Sequence, residues 1–154
     1  MRRKPLDHLG VPPSVRWNAE FYLTLCCAER GRNVLCNGQI GHAVLQSACF
    51  YEQLNRWWVG VLVLMPDHLH GIFGFPYEHD MISAVRRWKR YLARTHALTF
   101  QRGFFDHRIR SAESYHEKAH YILQNPVRAG LVQSWEDWPY VFRRASDEGA
   151  QGSG

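Results

Sequence analysis

Apolar residues recur along this chain with two periods, and the switches between them outline its elements. Phe21-Tyr22-Leu23-Thr24-Leu25-Cys26 is rich in strand formers and predicts a first strand. From Gln39 to Asn55, the residues Ile40, Val44, Ala48 and Tyr51 recur at helical spacing and predict an amphipathic helix. Trp57 to Leu64 is a near-continuous apolar run, the pattern of a central strand buried on both faces. Pro66-Asp67 signals a turn, and His68 to Phe75 returns as a third strand. Asp80 to His96 predicts a second helix with Ile82, Val85, Trp88 and Leu92 as its apolar stripe, which makes Trp88 a core residue. Phe104 to Arg110 predicts a fourth strand. Ser114-Tyr115-His116-Glu117 fits a capping box that opens a third helix. That helix should end near Asn125, because the residue before Pro126 is disfavoured in helical conformation. Strand-helix-strand-strand-helix-strand, followed by a helix, is the split pattern of a ferredoxin-like α+β fold with a central antiparallel sheet.

Composition narrows the partners. The 154 residues suit one domain. The expected division is an irregular basic arm over residues 1–18, one folded domain over 19–146 and a disordered tail over 147–154. Lys and Arg outnumber Asp and Glu by 19 to 14, which suits a polyanion partner. Arginine dominates the basic set and favours bidentate phosphate contacts. Cys26, Cys27, Cys36 and Cys49 form no C-x-x-C pair and read as reduced thiols of a cytoplasmic protein. No apolar stretch is long enough to span a membrane, and Arg2-Arg3-Lys4 is followed by no apolar signal core.

The candidate chemistry lies in two places. In Met65-Pro66-Asp67-His68-Leu69-His70 the two histidines flank one apolar residue, so on a strand they share a face. Neutral imidazoles side by side are part of a minimal divalent-metal site; the plain alternative is a polar strand edge. Tyr121 and Asn125 stand at i and i+4, one turn apart on the third helix. Asn125 could supply a carbonyl oxygen to the metal, and Tyr121 could reach a phosphate held there; the plain alternative is packing and an Asn-Pro turn. Lys118 is three residues before Tyr121, placed to hold a phosphate or lower the tyrosine pKa, or simply solvated. His107 is a weaker candidate on the fourth strand. On the second helix Arg86, Arg90 and Arg94 recur at i, i+4 and i+8 with Arg87 and Lys89 beside them. With Arg2, Arg3, Lys4, Arg108 and Lys118 they are the candidate contacts to a nucleic-acid backbone.

Taken together these segments resemble the single-tyrosine HUH transposases, and within them the REP-associated tyrosine transposases. The resemblance rests on Leu64-Met65-Pro66-Asp67-His68-Leu69-His70, on Gln101 through Arg110, on Asp137-Trp138-Pro139-Tyr140 and above all on Tyr121-Ile122-Leu123-Gln124-Asn125-Pro126-Val127-Arg128-Ala129-Gly130-Leu131-Val132. It covers roughly residues 20–142. It implies a bacterial, cytoplasmic, metal-dependent enzyme that nicks and rejoins single-stranded DNA flanked by palindromic hairpin repeats. His68 and His70 would then be ligands of Mg2+ or Mn2+, Asn125 a third ligand, and Tyr121 the nucleophile of a 5′-phosphotyrosine intermediate. Monomer and homodimer are both compatible with this pattern. Two other readings stay open: a hairpin-binding module that does not cut, and a zinc hydrolase that activates water and does not need Tyr121.

Overall fold

Side chains alternate along the strands, and the alternation sorts the apolar residues into two cores, one on each face of a single sheet. The computed structural model describes residues 19–144; the basic arm with Arg2, Arg3 and Lys4 and the tail at 147–154 lie outside the described residues. The elements are β1 (Ala19–Cys26), α1 (Gly38–Gln53), β2 (Trp58–Met65), β3 (His68–Phe75), α2 (Asp80–His96), β4 (Phe105–Ile109), α3 (Ala112–Leu123), α4 (Asn125–Arg128), a 3-10 turn (Trp135–Asp137) and β5 (Val141–Arg143). Strand order is β4-β1-β3-β2-β5, and every pairing is antiparallel. The first four strands form the ferredoxin-like βαββαβ arrangement expected from the sequence, and β5 extends it beside β2. No periodicity marks so short a strand. It is held by its surroundings: Trp138 Nε1 donates to the Leu64 carbonyl at 2.9 Å, and Leu64 N–H donates to the Tyr140 carbonyl at 2.9 Å.

One core lies under α1 and α2 and contains Leu23, Leu25, Val44, Trp57, Phe73, Val85, Trp88 and Leu92. The other lies under α3 and contains Tyr22, Trp58, Val61, Val63, Ile72, Tyr115 and Ile122. A bulge in β2 shifts the phase of the alternation part-way along the strand. The pairing with β3 shifts between Val59 and Val61. Val59 therefore faces the α1/α2 core and Val61, two residues on, the α3 core. Gly60 occupies the bulge, and a Cβ there would run into the Tyr115 hydroxyl of α3 and the Trp58 ring.

Three local expectations change. Ile82 is half exposed, and Met81 and Ala84 are buried in its place with Val85, Trp88 and Leu92. The third helix starts one turn before the expected capping box, with Ser111 as N-cap accepting from Ser114 N–H at 3.1 Å. It also ends at Leu123, and Asn125 opens the separate turn α4, so Tyr121 and Asn125 are not on one helix. Proline lacks an N–H, so Pro126 sits comfortably in the first turn of a new helix and poorly inside an old one. Among the described residues no helix is long and apolar enough to cross a membrane.

Candidate active site

The site starts from the tight turn between β2 and β3. Asp67 sits in that turn, and its Oδ2 accepts from Gly31 N–H at 2.8 Å and Arg30 Nε at 3.0 Å. Its Oδ1 lies 2.8 Å from His68 Nδ1. Partial burial alone would raise its pKa. The bonds from Gly31, His68 and Arg30 outweigh that and hold the carboxyl well below the usual carboxylate range. In a neutral imidazole, a carboxylate on Nδ1 favours the tautomer with its lone pair on Nε2.

His70 is two residues along β3 and on the same face, its ring 4.8 Å from that of His68. Register places Thr24 of β1 directly opposite. Thr24 Oγ1 lies 3.0 Å from His70 Nδ1, with the Tyr22 hydroxyl further off at 3.4 Å. Burial, then the neighbouring His68 and Arg128, push His70 down to about 3, so it is neutral at physiological pH. Both imidazoles thus have Nδ1 engaged by an oxygen, the arrangement found behind metal-ligating histidines. The pair fits a divalent cation that takes its remaining ligands from water or substrate oxygens. Among the described residues no cluster of three or more His, Cys, Asp or Glu side chains could hold a metal.

Tyr121 projects from α3 on the same side of the sheet, 52% exposed. Arg128 of α4 folds back over it: the guanidinium carbon lies 3.8 Å from the ring centroid, and Nη2 donates to the Tyr121 carbonyl at 2.8 Å. The same Nη2 donates to Asn125 Oδ1, while the buried Asn125 Nδ2 has no hydrogen-bond partner. Asn125 is therefore turned to Arg128, and its carbonyl oxygen is already engaged. A groove of about 420 Å3 beside Tyr121 is lined by Tyr22, Phe105, His107, Glu117, Lys118 and Tyr121. Lys118 Nζ stands 5.9 Å from the Tyr22 ring centroid. Burial raises the Tyr22 pKa and Tyr121 adds to it, while a bond to Thr24 and the charge of Arg128 lower it.

The fold thus brings His68, His70, Tyr121, Lys118 and His107 to one face. The other candidate cations lie elsewhere. Arg86, Arg87, Arg90 and Arg94 are exposed on α2, across the sheet from Tyr121. Lys89 donates to the carbonyls of Gln101 and Gly103 at 2.8 and 2.9 Å, bracing the loop before β4. Arg108 faces the α2 side, pairs with Glu78 and lies over the Phe21 ring. Sequence reasoning did not single out Arg128, Thr24, Tyr22 or the second-sphere role of Asp67. Arg128 lay within the motif that carried the resemblance, seven residues after Tyr121, and that adjacency was the available signal.

No protein-family model matches the chain. It is 34% identical over 98 residues to the REP-associated tyrosine transposase of Escherichia coli K12, covering 60% of this chain and 55% of that protein. The chain resembles the REP-associated tyrosine transposases. A Haemophilus influenzae relative is 29% identical over 97 residues, covering 51% of this chain and 54% of its own length. The chain spans about half the length of these curated relatives. A solved structure described as a REP-associated tyrosine transposase bound to a REP hairpin aligns with a TM-score of 0.63 at 20% identity. It covers 92% of this chain and 80% of that one, which shows the shared fold.

Proposed function

We propose that this protein is a transposase-type nicking and joining enzyme that cleaves single-stranded DNA next to palindromic hairpin repeats, with Tyr121 as nucleophile. The observation that carries this reading is an exposed tyrosine, capped by a guanidinium, on the same sheet face as two histidines whose Nδ1 atoms are both engaged. The name of the similar Escherichia coli protein and the REP hairpin in the similar structure support the same substrate class.

A magnesium or manganese ion held by His68 and His70 would supply Lewis-acid polarisation of the scissile phosphate. The chain's own residues do the rest. Asp67 and Thr24 hold the imidazoles in orientation. Tyr121 Oη loses its proton and attacks phosphorus; the Oη–P bond forms as the P–O3′ bond breaks. The product is a 5′-phosphotyrosine link and a free 3′-OH after proton uptake. A free tyrosine ionises near pH ~10, so the proton must leave Oη as the bond to phosphorus forms. Arg128 lies against the ring, and its remaining N–H groups can turn toward phosphate oxygens and offset the charge that develops there. Asn125 enters as a positioning residue for Arg128. Attack of a 3′-OH on the phosphotyrosine reverses the step and needs no nucleotide cofactor.

The test is a denaturing gel of labelled hairpin DNA with single-stranded flanks, incubated with magnesium or manganese and either the native chain or Tyr121→Phe. A covalent protein–DNA band that vanishes in the variant, with binding retained, is expected. Cleavage that persists without Tyr121 would sink the mechanism in favour of water activation by the metal. Binding with no adduct in either protein would leave a hairpin-binding module.

A further inference from the structure

The groove beside Tyr121 presents three aromatic faces, and two of them are already covered by cations. Lys118 stands over Tyr22 and Arg128 over Tyr121. Phe105 is 62% exposed, and among the described residues it carries neither a stacked ring nor a cation. It lies on β4, an edge strand whose register runs Phe105 opposite Thr24 and Thr24 opposite His70. Adjacent strands are about 4.8 Å apart, so Phe105 and His70 share one cross-sheet row roughly 10 Å apart. His107, on the same face of β4 and opposite Tyr22, and Glu117 and Lys118 from α3 supply polar atoms around this bare ring.

We infer that Phe105 is the stacking shelf for one unpaired nucleobase that flanks the cleaved phosphodiester, with Glu117, Lys118 and His107 as groups that meet its hydrogen-bonding edge. A nucleobase is the occupant this chemistry fits. It has an apolar π-face for Phe105 and a polar rim for the acidic, basic and imidazole groups around it. A plain hydrophobic side chain would leave those groups desolvated without partners. The row spacing sets the base one step along the strand from a phosphate held at the histidines. The inference rests on the proposed DNA-cleaving role and adds a determinant of which base is preferred beside the cut.

The test begins with a DNA hairpin carrying randomised single-stranded flanks, selected for binding to the native chain with magnesium or manganese present. The selected oligonucleotide is then made with each flank base replaced in turn by an abasic site. Affinities are measured for the native chain, Phe105→Ala and Phe105→Trp. The expected result is one abasic position that weakens native binding by about ten-fold, the scale of one lost base–aromatic stack, and leaves Phe105→Ala binding unchanged. Phe105→Trp should keep the native profile. Equal losses in the native chain and Phe105→Ala at every abasic position would overturn the shelf, as would a merely uniform loss in the variant. The adduct gel on the same oligonucleotides separates the two ideas. Base-dependent binding through Phe105 without any adduct sinks the tyrosine mechanism and keeps the shelf. Adducts that form identically in Phe105→Ala sink the shelf alone. A pool from which nothing is retained overturns both.

Discussion

Arg128 covers the ring of Tyr121 and also bonds its carbonyl, so the guanidinium moves with the nucleophile it would serve. Preorganised positive charge of this kind is worth roughly 10²–10³ in rate where negative charge develops. Arg128→Ala should slow adduct formation by about that factor in single-turnover assays, with a smaller loss of DNA affinity. Arg128→Lys should not restore the rate, because an ammonium cannot lie flat on the ring while donating to Asn125 and the Tyr121 carbonyl. Asp67 acts one shell further out, through His68 Nδ1. Asp67→Asn should weaken divalent-ion binding by roughly 10- to 100-fold in calorimetric titration, with the far-ultraviolet spectrum unchanged. At this scale the histidine pair was legible as a candidate from strand alternation, and Tyr121 from the motif that carries the family resemblance. Arg128 over a ring, or Thr24 opposite His70, is a contact that only the folded chain creates.

Helix α3 carries Tyr121, and two features set where it lies. Its first turn is capped by Ser111, and Ser111→Ala should cost about 1 kcal/mol in urea unfolding. Its fit on the sheet depends on Gly60, whose missing side chain leaves room for the Tyr115 hydroxyl. Gly60→Ala should push α3 outward, lowering stability by about 1–3 kcal/mol in the same assay and slowing adduct formation because Tyr121 shifts with the helix. Six of the elements, β1, α1, β2, β3, α2 and β4, could be placed to within about two residues from local sequence pattern. The bulge could not, because a strand apolar on both faces has no alternation for a register shift to interrupt. The break between α3 and α4 was half visible: Pro126 signalled a boundary, but the same proline also begins a helix.

The whole molecule has two unlike sides. The arginines of α2 are separated from Tyr121 by the sheet and a helix layer. Arg86→Ala with Arg90→Ala should reduce affinity for long hairpin DNA and flatten its dependence on salt by roughly 1–2 units of log–log slope. Adduct formation on a short single strand should be untouched, since that strand need not reach the far side. Global stability has a pH handle in Glu20, which is buried on β1 with Oε2 lacking a hydrogen-bond partner. Burial raises its pKa to about 7. The folded state then binds a proton more tightly than the unfolded state. Its contribution to stability is fully present below the ordinary glutamate range and is lost as pH rises through about 7. Glu20→Gln should remove that decline and raise stability at pH ~8 by an amount on the order of 2–3 kcal/mol, measured by denaturant midpoints across pH.

The amino-acid order alone marked the elements from β1 through α3, the ferredoxin-like topology and the candidate residues for metal and tyrosine chemistry. Each of those follows from local periodicity, turn chemistry or residue type. Tertiary structure decided which of them meet. It turned the Asn125 carbonyl to Arg128, placed the α2 arginines across the sheet from Tyr121, and left Phe105 bare beside it. Those outcomes depend on strand register, on a bulge at Gly60 and on the break before Pro126. Each is settled by packing between segments that are distant in the chain.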